Sequence, residues 1–137
     1  MLRNKPQQTD TSKAKLIIDR NLKAEEGSFF YFFHERYIFD GKLCNELITA
    51  IRDVSLSYDR NEPLPREICK NINFLNTTFN QKVFYYLNDK FKKEFSRNTA
   101  LEHLKYLERF CDAVEGFFVG YASPESRFEP FDGEAKL

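Results

Sequence analysis

Residues 28–40 read SFFYFFHERYIFD, and this stretch limits the possible folds more than any other. Phe29, Phe30, Tyr31, Phe32, Phe33, Tyr37, Ile38 and Phe39 crowd into it. Each fully buried aromatic contributes roughly 1.5–3 kcal/mol, so the rest of the chain must supply apolar faces to cover the segment. Phe29, Phe32 and Phe33 share a face at helical period. Ser28 stands where an N-cap belongs, and Glu25 and Glu26 precede it, where a helix dipole favours anions. The spacing therefore favours a helix. A buried strand is the competing reading, because aromatics favour strands and both alternating faces are apolar.

The cover comes from amphipathic helices. Asp40 reads as the N-cap of a helix over about 42–54, with Leu43, Leu47, Ile48, Ile51 and Val54 on one stripe. Residues 55–65, SLSYDRNEPLP, read as a loop, and Pro65 suits the first turn of the next helix. Ile68, Cys69, Ile72 and Leu75 continue the helical spacing to a break expected near Asn76. A second run over 80–95 then aligns Val83, Phe84, Leu87, Phe91 and Phe95, either as a separate helix or as the continuation of one kinked helix. After a turn at 96–98, Thr99 and Glu102 match a capping box. Ala100, Leu104, Leu107, Cys111, Val114 and Phe118 follow as an apolar stripe, widened by Leu101 and Phe110, with Gly116 as a weak point. Lys15–Asp19 fits a short strand or a helical turn, and 117–121 a helix end or an edge strand. The sum is a mainly α, compact single-domain bundle of four to five helices, with room for one or two short strands. Residues 1–13 lack apolar content and read as a disordered arm, 14–121 as the helical domain, and 122–137 as a tail that Phe128 and Phe131 could dock.

With 137 residues, 42% hydrophobic and 31% charged, the chain suits one soluble domain with its own core. No apolar run approaches the roughly 20 residues of a membrane span, and no apolar stretch follows the basic N-terminus as a secretory signal would require. Three cysteines without such a signal predict reduced thiols in a cytoplasmic protein. Twenty-one basic residues balance 21 acidic ones, yet they alternate in blocks. Residues 1–23 carry 6 basic and 2 acidic groups, 24–67 carry 5 and 9, 68–97 carry 6 and 2, and 98–137 carry 4 and 8. Such blocks predict separate acidic and basic surfaces unless they neutralise one another within the fold.

Recognisable reaction chemistry is missing from the pattern. Cys44, Cys69 and Cys111 lie too far apart for a zinc pair and read as buried structural thiols. His34 and His103 have no second histidine at helical spacing, and neither is placed near a cysteine as a catalytic pair would need. The glycines form no phosphate-binding loop. No enzyme activity, cofactor, metal or small-molecule substrate is expected. Lys82, Lys90, Lys92, Lys93 and Arg97, interleaved with Tyr85, Tyr86, Phe91 and Phe95, suit phosphate contact and base stacking, so a nucleic-acid-binding helix is the alternative function. A sequence pI of about 6.7 weighs against it. The acidic block supports a different partner. Glu25, Glu26, Glu35, Asp40, Asp53, Asp59 and Glu62, flanked by Tyr31, Tyr37 and Tyr58, make an acidic surface with aromatic anchors for a basic protein.

Residues 27–54, GSFFYFFHERYIFDGKLCNELITAIRDV, resemble small bacterial immunity proteins of polymorphic-toxin and contact-dependent growth inhibition systems. Some of these begin with Gly-Ser-Phe, carry His-Glu near the end of the first element, and open an aliphatic helix with Asp. Gly27, Ser28, Phe29, His34, Glu35, Asp40, Leu47 and Ile51 match that pattern. The aromatic residue, often Trp, that such proteins carry after the Asp is replaced by Leu43 and Cys44. The resemblance spans about a fifth of the chain. It implies a cytoplasmic protein that neutralises a cognate toxin domain, such as a nuclease, by stoichiometric binding without catalysis. Glu25, Glu26, Tyr31, Glu35, Tyr37, Asp40, Asp53, Tyr58, Asp59 and Glu62 are the expected contact residues.

Overall fold

The computed structural model describes residues 11–36, 38–59, 61–93 and 97–120, with side chains outside 86–102. Five helices follow in order among them: α1 (Ser12–Leu22), α2 (Phe29–Glu35), α3 (Gly41–Leu56), α4 (Arg66–Lys93) and α5 (Arg97–Val119). The chain is mainly α, and the described residues contain no strand. Residues 15–19 and 117–119 are therefore helical, in α1 and α5. The arm at 1–10, Tyr37 and the tail at 121–137 lie outside the described residues. Ser12 and Lys13, assigned to the arm by sequence, open α1.

Local chemistry sets the first three elements. The α1 helix ends in a reverse turn in which the Glu25 amide donates to the Arg20 carbonyl at 2.9 Å and the Ala24 amide to the Asn21 carbonyl at 3.1 Å. That pairing needs a left-handed residue between them, and Ala24 takes it at φ 47° where glycine is usual. Ser28 then caps α2 by accepting from the Tyr31 amide at 3.2 Å. Buried Asn21 reaches across from α1: its Oδ1 accepts from the Phe30 amide at 3.0 Å while its Nδ2 donates to the Ile17 carbonyl at 2.9 Å. Two otherwise orphaned first-turn amides are thus satisfied, and the aromatic segment is a helix. Asp40 caps α3 as expected, its Oδ1 accepting from the Leu43 amide at 3.0 Å.

The middle helix, α3, packs against α1 and α5, and α4 lies against α5. Leu47, Ile48, Ile51 and Val54 are all inaccessible to solvent. The predicted break at Asn76 is absent, and α4 runs straight through. Asn and Thr are weak helix formers, but Ile72, Leu75 and Phe79 are fully buried on both sides of the site. Their burial outweighs the propensity, and Asn80 Nδ2 donates back to the Asn76 carbonyl at 2.7 Å.

Register is where sequence and structure part. In α4 the buried face is Ile72, Leu75, Phe79 and Val83, whereas Phe84, predicted in the core, is 65% exposed. In α5 the buried face is Tyr106, Phe110, Ala113, Val114 and Phe117. Leu104 and Phe118, both predicted on the core stripe, face outward, as does Cys111. The helix is turned by about a quarter of a revolution from the expected stripe. Three large aromatics, Tyr106, Phe110 and Phe117, bury more area than the leucine–cysteine stripe would. Gly116 does not interrupt α5, and Thr99 lies inside the helix rather than at its cap because α5 opens at Arg97. Leu87, Phe91, Phe95, Ala100, Leu101 and the Glu102 half of the capping box carry side chains outside the described set.

The core is correspondingly aromatic. Phe79 of α4 and Phe110 of α5 stack with ring centroids 4.1 Å apart and planes 9° from parallel. Phe29 touches Phe33, Phe39 and Phe79 at 5.3, 5.3 and 5.8 Å. His103 stacks on Phe39 at 4.2 Å. Burial holds that imidazole down to about 4, so it is neutral in the fold at neutral pH.

Candidate functional site

The predicted contact residues separate into three groups. Around the α1–α2 corner, Glu25 pairs with Arg20 at 3.6 Å. Arg36 is held above its ordinary range, first by a side-chain hydrogen bond to Tyr31 and also by Glu26. This corner is therefore partly neutralised from within. Glu35 is exposed beside it, and Tyr37 lies outside the described residues. Asp40 is occupied as the α3 cap, and Asp53 lies 3.8 Å from its neighbour Arg52.

At the other end of α3, about 24 Å from Asp40 by helical rise, the picture changes. Here α3 ends at Leu56 and α5 ends at Val119. Ser57 closes α3 by donating its hydroxyl to the Val54 carbonyl at 2.6 Å. Tyr58 turns inward, edge-on to Phe117 at 6.3 Å, so it supports the core more than it offers an anchor. Asp59 then begins a tight turn: its Oδ1 accepts from the Asn61 amide at 2.9 Å, and its carbonyl from the Glu62 amide at 3.1 Å. Beneath the turn is a cleft of about 300 Å³ lined by Asp59, Glu62, Leu64, Phe118, Val119 and Gly120, with Cys69 also in its wall. Among the described residues, neither Asp59 nor Glu62 has an ion-pair partner. Phe118 and Val119 are 46% and 60% exposed. Sequence reading found the acids but missed the apolar wall, because it placed Phe118 in the core.

The remaining chemistry-bearing side chains do not assemble. The cysteines spread from buried Cys44 through half-buried Cys69 to surface Cys111, which corrects the expectation that all three are buried. Cys111 Sγ lies 4.0 Å from Asn80 Oδ1, and partial burial pushes the thiol up, away from nucleophilic use. His34 is lowered first by burial, then by Lys82, with Glu35 opposing. It packs on Phe30 at 5.5 Å. The described residues contain no group of three or more His, Cys, Asp or Glu able to hold a metal ion, and no described helix is long and apolar enough to cross a membrane.

The second surface of note is α4, where Phe74, Phe84 and Tyr85 stand more than half exposed. Phe84 and Tyr85 meet edge-on at 5.8 Å. Lys90, Lys92, Lys93, Arg97, Tyr86, Phe91 and Phe95, the rest of the predicted basic–aromatic helix face, have side chains outside the described set. No family model, curated protein or solved structure matches this chain.

Proposed function

We propose that the protein is an immunity-type binding protein that neutralises a basic toxin domain, such as a nuclease, by stoichiometric contact. The observation that supports this most is the α3–α4 turn. Two carboxylates without an ion-pair partner among the described residues overhang an apolar wall at the ends of two helices. Carboxylates without internal partners accelerate encounter with a basic protein, and the apolar wall supplies desolvated contact area. In this reading the carboxylates of the turn carry the contact, and the α1–α5 bundle is the rigid scaffold. The resemblance at 27–54 supports the same class of partner. The test is co-expression of the tagged chain with the product of the neighbouring open reading frame. Recovery of a one-to-one complex that dissociates at high salt supports the reading. Recovery of the chain alone at low salt contradicts it.

A second reading is favoured by one observation, the exposure of Phe84 and Tyr85 on the helix that carries Lys82. Exposed rings beside cations suit stacking on single-stranded nucleic acid. Fluorescence anisotropy with a labelled oligothymidine tests it: salt-sensitive binding lost in Phe84→Ala/Tyr85→Ala supports this reading, and no binding at low salt removes it.

A further inference from the structure

We infer that the cleft under the α3–α4 turn receives an arginine side chain of the partner protein. The inference rests on the proposed binding function and specifies its contact. The ligand must be cationic at one end, because Asp59 and Glu62 come from a single turn and both line the cleft. Two helix C-termini add to the same field. The α3 helix ends three residues before Asp59, the end of α5 forms the cleft wall, and neither has a basic residue in its last turn. The partial negative charge of a helix C-terminus favours a cation. The other end of the ligand must be apolar, because Leu64, Phe118 and Val119 complete the lining. A long basic side chain has this build, an apolar stem beneath a charged head. Arginine fits better than lysine. Its planar fork matches paired carboxylate oxygens, and it stacks on an aromatic face such as exposed Phe118.

The test is an amide-resolved NMR titration of the full chain with Nα-acetyl-arginine amide. Nα-acetyl-citrulline amide, of the same shape but uncharged, is the control. Saturable shifts at Leu64, Phe118, Val119 and Gly120, with citrulline about tenfold weaker or more, are expected. The Asp59→Asn/Glu62→Gln variant should lose the response while keeping the parent melting temperature. Equal response to citrulline, or no saturable shift, overturns the inference. Arg60 lies between the two acids in sequence and outside the described residues. A site that opens only in Arg60→Ala identifies Arg60 as the occupant and also overturns it. If the neighbouring gene product still binds Asp59→Asn/Glu62→Gln at parental affinity, this contact fails while the binding function stands. If that product never binds the parent chain, the function itself fails.

Discussion

Phe110 and Phe118 are two turns apart on one helix and do opposite things. Phe110 is fully buried and stacks on Phe79 in the middle of the bundle, whereas Phe118 stands nearly half exposed beside two acids. The two regions use the same residue type, so aromatic content by itself does not separate scaffold from surface. Helical register does. Where a ring meets rings from other helices it holds the fold, and at the end of α5 the same residue type stands partly exposed on the cleft wall.

The largest expected effects test the scaffold half of this comparison. Phe110→Ala or Phe79→Ala should cost about 3–5 kcal/mol in urea unfolding, since each removes a fully buried ring and leaves a cavity. Phe118→Ala should cost under about 1 kcal/mol, in the range of surface changes. Equal losses at Phe110 and Phe118 would erase the distinction. Asn21→Ala comes next, at about 1–3 kcal/mol, because it strands the buried Phe30 amide that Asn21 now satisfies. At the α1 terminus the sign reverses. Ala24→Gly should stabilise by about 0.5–1 kcal/mol, because glycine takes the left-handed conformation without Cβ strain.

Acid should act on the scaffold. His103 titrates near 4 in the fold against an ordinary value of 6.5. The unfolded chain therefore binds more protons between those values, and folding stability must fall as pH drops through that window. His34 is shifted in the same direction. Stability measured by urea at stepwise pH should decline from pH 6.5 towards 4, and His103→Gln should flatten the decline. An unchanged slope in that variant would show that the stacked imidazole does not govern it.

The mainly helical fold, the Ser28 and Asp40 caps and the α3 core were legible because each depends on residues near in sequence. The rotation of α5 was not. Phe110 lies on the widened apolar face that the sequence predicts, but the leucine–cysteine stripe also has good helical spacing, and only tertiary packing decides that Tyr106 and Phe117 turn inward while Leu104 and Phe118 face outward. The same applies to the uninterrupted α4, where burial of Leu75 and Phe79 overrides the weak propensity of Asn76 and Thr77. Of the candidate site, the acids were visible and the cleft was not. A cleft needs Glu62 and Phe118 brought together across more than fifty residues, which no local pattern encodes.

On the proposed reading the bundle holds the fold while the acidic end binds. Asp59→Lys/Glu62→Lys tests it most directly, with melting temperature and affinity for the neighbouring gene product measured on one preparation. The expected result is an unchanged melting temperature and an affinity lowered by about a hundredfold or more, from reversing interfacial charge. Parental affinity in that variant would contradict it.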